Sequence, residues 1–198
     1  SEISDINENI NVSEMVKFAS DILNQREAVT LNAQETLTYS QLVQVGSSAG
    51  GARAKALIAW NEKTNEIKSG QLNLDKDYDY WLMKFDNVSK NGDHGVEDIP
   101  EYTLIEYAYY KMAIDAGIQM NECRIYSNNG ENHFMTKRFD RVNGKKIHMQ
   151  SLGAMAHISY KEPGLCSYEM AAGYMRDVKL PMTDIEQFYS RMVFNCLA

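Results

Sequence analysis

A formal net charge of −7 on 198 residues leaves no general basic field, which excludes nucleic acid and acidic membrane surfaces as default partners. Apolar residues make up 44% of the chain, enough for the core of one large domain or two small lobes. Cys123, Cys166 and Cys196 form no CxxC pair and read as free thiols, no apolar run reaches the roughly 20 residues of a membrane helix, and the polar N-terminus lacks signal-peptide order, so a cytoplasmic protein is expected.

Residues 1–12 are polar and Asn/Glu-rich, with isolated Ile3, Ile6 and Ile10, and read as a loose tail or an edge extension. Ser13 is the predicted N-cap of a helix whose apolar face is Met15, Phe18, Ala19, Ile22 and Leu23. Asn32 and Glu35 resemble a capping box for a second short helix with Leu37, Leu42 and Val45 on its buried side. The loop GSSAGGARAK (46–55) follows, then a hairpin of Ala54–Trp60 and Glu66–Gly70 around NEKTN, and a third strand at Tyr80–Phe85. In that strand Trp81, Met83 and Phe85 alternate with Leu82 and Lys84, which places the lysine on the opposite face from the three apolar residues. Residues 87–100 read as loop. Pro100 opens the clearest helix, which ends before Gly117 and has a predicted buried stripe of Leu104, Ala108, Met112 and Ala113. Arg124–Tyr126 and His133–Arg138 are strands around SNNGEN, and helices are predicted near 150–157, over Ser167–Val178 and from Thr183 to the end. The fold class is α+β: an antiparallel sheet of about five strands carrying one long helix, then further helices.

A glycine loop beside a strand, a lone lysine on a nearby strand and an acid on the following helix are the parts of a kinase N-terminal lobe. Glycines let main-chain N–H groups approach phosphate oxygens, the lysine neutralises phosphate charge, and the acid holds the lysine. Here the parts are Gly50, Gly51, Lys84 and Glu106, with Glu101 as a competing acid better suited to the helix dipole. Each has a plainer reading: Lys84 as a snorkelling surface lysine, and the loop as a linker, since it matches neither GxxxxGK[ST] nor GxGxxG. The four histidines share no metal spacing and read as loop or strand-surface residues. Met112, Met149, Met155 and Met170 read as core filling, and Tyr102, Tyr107, Tyr109 and Tyr110 read equally as a substrate surface or as a partly buried helix with phenol tips in water.

GSSAGGARAKALI, YWLMKFD, EYTLIEYAYYKMAIDAGI, HFMTKRFDR and IHMQSLGAM stand in an order that resembles a HipA-like serine/threonine kinase, and FYSRMVFNCLA looks like the helix leading to that family's catalytic loop. The resemblance runs from about Ala33 to Ala198. It implies a kinase-like N-lobe followed by an incomplete helical lobe, with boundaries at 1–45 for a tail and helical cap, 46–142 for the N-lobe and 143–198 for the start of the helical lobe. It implies an ATP-covering loop of Ala49, Gly50, Gly51, Ala52, Arg53, Ala54 and Lys55, with Ser48 as an autophosphorylation site. Lys84 would bind the nucleotide and Glu106 orient it, while Lys137, Arg138 and Phe139 would meet the adenine through the strand backbone. Asp140 and Arg141 would pair to order the hinge. The implied cofactors are ATP and Mg²⁺. The implied partners are a protein substrate, such as an aminoacyl-tRNA synthetase or a translation factor, and a HipB-like DNA-binding antitoxin.

Two departures stand beside the resemblance. Only some 45 residues precede the glycine loop, where the family has a longer subdomain, and no motif with Asp-His and Asn follows to supply a catalytic base and Mg²⁺ ligands. The expectation is therefore a piece of a longer kinase, carrying no catalytic residue or metal ligand itself. The alternative is a non-catalytic nucleotide- or partner-binding module that restrains a separate kinase subunit.

Overall fold

The computed structural model describes residues 9–23, 54–86, 88, 101–159, 162 and 164–198. The predicted helix after Asn32, the glycine loop over 46–53, His94 and Pro100 lie outside them. The chain divides into two units, 1–110 with 121–146, and 111–120 with 147–198.

In the first unit, α1 (Val12–Leu23) is capped by Asn11 rather than by Ser13: the Asn11 Oδ1 accepts from the N–H groups of Ser13 (3.1 Å) and Glu14 (3.4 Å). The Ser13 hydroxyl instead accepts from Asn128 and Asn129 at 2.9 and 2.8 Å. Just before the helix, Ile10 donates its N–H to the Ile67 carbonyl, and the Ile67 N–H reaches Asn9.

A five-stranded antiparallel sheet is built from β1 (Lys55–Asn61), β2 (Glu66–Ser69), β3 (Asp79–Lys84), β4 (Cys123–Asn128) and β5 (Glu131–Lys137), in the order β2-β1-β3-β5-β4. One face, with Ala56, Ile58, Ile67, Trp81, Met83 and Met135, packs with Met15, Phe18 and Ala19 of α1 into the main core. Each large apolar side chain buried there contributes about 1.5–3 kcal/mol. Asn129 and Gly130, at φ 51° and 85°, close the β4–β5 hairpin in two residues, the left-handed pair that a turn of this hand requires. The same dipeptide, Asn143–Gly144 at φ 51° and 76°, turns a short hairpin of β6 (Arg141–Val142) and β7 (Lys145–Lys146) that the strand reading passed over.

The long helix α2 (Tyr102–Asp115) starts later than Pro100 and keeps only part of the predicted stripe, with Ala113 buried and Leu104 half-buried as expected. Ala108 and Met112 are exposed, while Thr103 and Ala113 are buried and Glu106, Tyr107 and Tyr110 are half-buried. Apolar residues occur all round this helix, so hydrophobicity did not choose the face; polar contacts at its first turn did.

The second unit holds α3 (Leu152–Met155), α4 (Tyr168–Asp177) and α5 (Met182–Leu197). Ser151 and Ser167 cap the first two through their hydroxyls, each at 3.2 Å, and Pro181 precedes the third. No helix among the described residues is long and apolar enough to cross a membrane.

Candidate functional site

The sheet face opposite the α1 core carries Lys55 and Lys84. Lys84 ends β3 and stands directly across from Phe134 on β5 and from Lys55 on β1, so the three side chains share one face. Glu106, on the inward face of α2, meets Lys84 at 2.6 Å between Oε1 and Nζ. Both side chains are about a quarter exposed, and the Lys84 ammonium lies 5.7 Å from the centre of the Phe134 ring.

Lys55 is buried, and its pKa is lowered first by burial, then by the Lys84 charge, with Glu106 opposing both. Cys123, on the edge strand β4, has its thiol pushed up by burial, which makes it a poor nucleophile. An ammonium has three N–H donors. One of those on Lys84 goes to Glu106; among the described residues the other two have no acceptor, and the buried Glu106 Oε2 has no donor. A lysine with spare donors, held by a carboxylate, suits the oxygens of a phosphate.

The segment expected to meet an adenine runs along the end of β5. The main-chain N–H of Lys137 donates to the Glu122 carbonyl and its carbonyl accepts from Asn121, while the Arg138 N–H reaches the Tyr80 carbonyl. The main-chain groups of Phe139 have no partner among the described residues, and its ring is 65% exposed. Lys137 pairs with Asp79 at 2.8 Å and lies over Trp81.

The expected Asp140–Arg141 pair is not the one that forms. Asp140 takes a two-pronged contact from Arg138, at 2.8 and 2.6 Å, which holds its carboxyl below the usual carboxylate range. Arg138 and Arg141 both donate to the carbonyl of Gly70, and Arg141 lies over the Tyr80 ring at 4.7 Å. Arg138 and Asp140 stand two positions apart and face each other, whereas Arg141 starts a new strand.

Ser48, Ala49, Gly50, Gly51, Ala52 and Arg53 lie outside the described residues, and Ala54 packs against the core beside them in sequence. Glu101 does not approach the lysines: its N–H reaches Asp86 and its carbonyl accepts from Leu104 and Ile105 at the start of α2.

Sequence reasoning missed His133. It is fully buried on β5, where its Nδ1 accepts the Asp86 N–H at 3.2 Å and its ring packs edge-on against Phe85 at 6.0 Å. Its alternation with Phe134 and Met135 in a short apolar strand was the available signal.

No curated protein and no solved structure matches the chain. A family model described as the HipA-like C-terminal domain matches residues 47–198, more than three quarters of the sequence, and the chain belongs to that family.

Proposed function

We propose that this chain is the nucleotide-binding part of an ATP-dependent serine/threonine protein kinase of the HipA type. The Lys84–Glu106 ion pair across β3 and α2 carries the reading. Its spare donors fit the α- and β-phosphates, while Phe139 offers main-chain groups and an exposed ring for the base. The residues from Ala49 to Lys55 would cover the triphosphate.

ATP would supply the γ-phosphoryl group that passes to a protein Ser or Thr. The chain's own part would be binding and orientation, with Mg²⁺ arriving on the triphosphate. Lys84 would offset phosphate charge, Glu106 would hold it extended toward the ligand, and the sheet edge would fix the base. Phosphorylation of Ser48 would add up to about two negative charges where the ATP phosphates belong and switch binding off.

The test is calorimetric titration of Mg-ATP into the chain and into Lys84→Ala. At least about tenfold weaker binding is expected, because the substitution removes a charge-assisted contact worth roughly 1.5–3 kcal/mol. Equal affinities would remove Lys84 from the site and overturn the reading.

A further inference from the structure

The Lys84–Glu106 pair is about a quarter exposed on each side, and a pair open to solvent contributes little to stability. It is too weak to dock a helix, so something else must bring Glu106 within reach. Two part-buried contacts at the first turn of α2 do this. The Asp86 carboxylate, two residues beyond Lys84, accepts the N–H of Glu101 at 3.2 Å, and the Thr103 hydroxyl donates to the carbonyl of Asn132 on β5.

Asp86 is 6% exposed and Thr103 1%. Asp86 is itself anchored, since its N–H donates to the buried Nδ1 of His133. Glu101 adopts φ 71°, a left-handed backbone unfavourable for a non-glycine residue that holds only where contacts fix it. Glu106 lies three residues beyond Thr103, on the same helical face, so the contacts that seat Thr103 also set where Glu106 points.

We infer that Asp86 and Thr103 are positioning residues for the Lys84–Glu106 pair, locking the first turn of α2 to the ends of β3 and β5. The inference rests on the proposed function for what the pair does, but its geometry can be tested without nucleotide. The experiment is acetic anhydride labelling of the chain, with acylation at each lysine read by mass spectrometry. A lysine released from its carboxylate acylates faster.

Thr103→Val keeps the shape and removes the donor. It should raise labelling at Lys84 by about 2- to 10-fold, the equivalent of one lost hydrogen bond, and leave Lys137 unchanged. Thr103→Ser should restore the wild-type rate. Asp86→Ala should act like Thr103→Val, and Asp86→Asn, which keeps an acceptor, should not. In a Glu106→Gln background Thr103→Val should add nothing further at Lys84. Wild-type labelling in Thr103→Val, equal increases at Lys84 and Lys137, or an undiminished increase in the Glu106→Gln background would each overturn the inference. Mg-ATP titration of the same variants separates the two claims. A wild type that binds no ATP refutes the proposed function and leaves the labelling result to decide the positioning role. A wild type that binds ATP without labelling changes in the variants refutes the positioning role alone.

Discussion

His133 should make the sheet unit lose stability on mild acidification. Burial pushes its pKa down to about 4 from 6.5, with the nearby Asp86 charge opposing. The Asp86 N–H points at Nδ1, so a proton there would set donor against donor. Above pH 6.5 neither the folded nor the unfolded chain binds a proton at this site. Between 6.5 and about 4 the unfolded chain does and the folded chain does not, so stability falls as pH falls; below about 4 the loss levels off. Over that interval, at about 1.4 kcal/mol per pH unit, the total is about 3 kcal/mol. Asp140, with its pKa depressed by Arg138, contributes stability that is lost only below the usual carboxylate range, outside this window. Trp60 and Trp81 are the only tryptophans and both lie in the sheet unit, so urea melts followed by tryptophan fluorescence report on that unit alone. His133→Gln keeps an acceptor for Asp86 and does not titrate, and its stability should be flatter between pH 7.5 and 4.5. Parallel profiles for wild type and His133→Gln would refute the reasoning.

Glu106→Gln should weaken Mg-ATP binding about tenfold with little change in fluorescence-monitored stability, because it loosens a partly exposed lysine without emptying a core position; unchanged affinity by calorimetry would count against the pair. Arg138→Ala should destabilise the sheet unit by about 3 kcal/mol in urea, since it strands the nearly buried Asp140 carboxylate and removes a donor from Gly70. Gly70→Ala should destabilise it by about 1–3 kcal/mol or more: a Cβ there would meet the main chain of Leu57 and Ile58 at 2.7–2.9 Å, and backbone cannot swing aside as a side chain can.

The strands were legible because alternation is a local signal, and Trp81, Met83 and Lys84 fall on the faces their spacing dictates. The face of α2 was only partly legible: Ala113 and Leu104 turn inward as their spacing suggests, while Ala108 and Met112 are exposed. Leu104, Ala108 and Met112 make as good an apolar stripe as any, and the helix was turned by Thr103 and Glu106, whose partners Asn132 and Lys84 are 29 and 22 residues away in sequence. Long-range polar contacts leave no periodic trace. The Arg138–Asp140 pair was misread for a different reason: both candidate arginines flank the same aspartate, and only the bend into β6 separates their directions. Lys84 and Glu106 were named from the order of elements and the family resemblance, and the fold brings them within 2.6 Å.

Both hairpin turns at Asn129–Gly130 and Asn143–Gly144 also set how this protein ages. Asn-Gly is the dipeptide most open to succinimide closure, because glycine puts no side chain in the path of the attacking main-chain nitrogen. Conversion of Asn129 to isoaspartate would add a methylene to the main chain of a two-residue turn and replace the amide that donates to Ser13 with a carboxylate. The Ser13 hydroxyl at the start of α1 would then keep its contact from Asn128 and lose the one from Asn129.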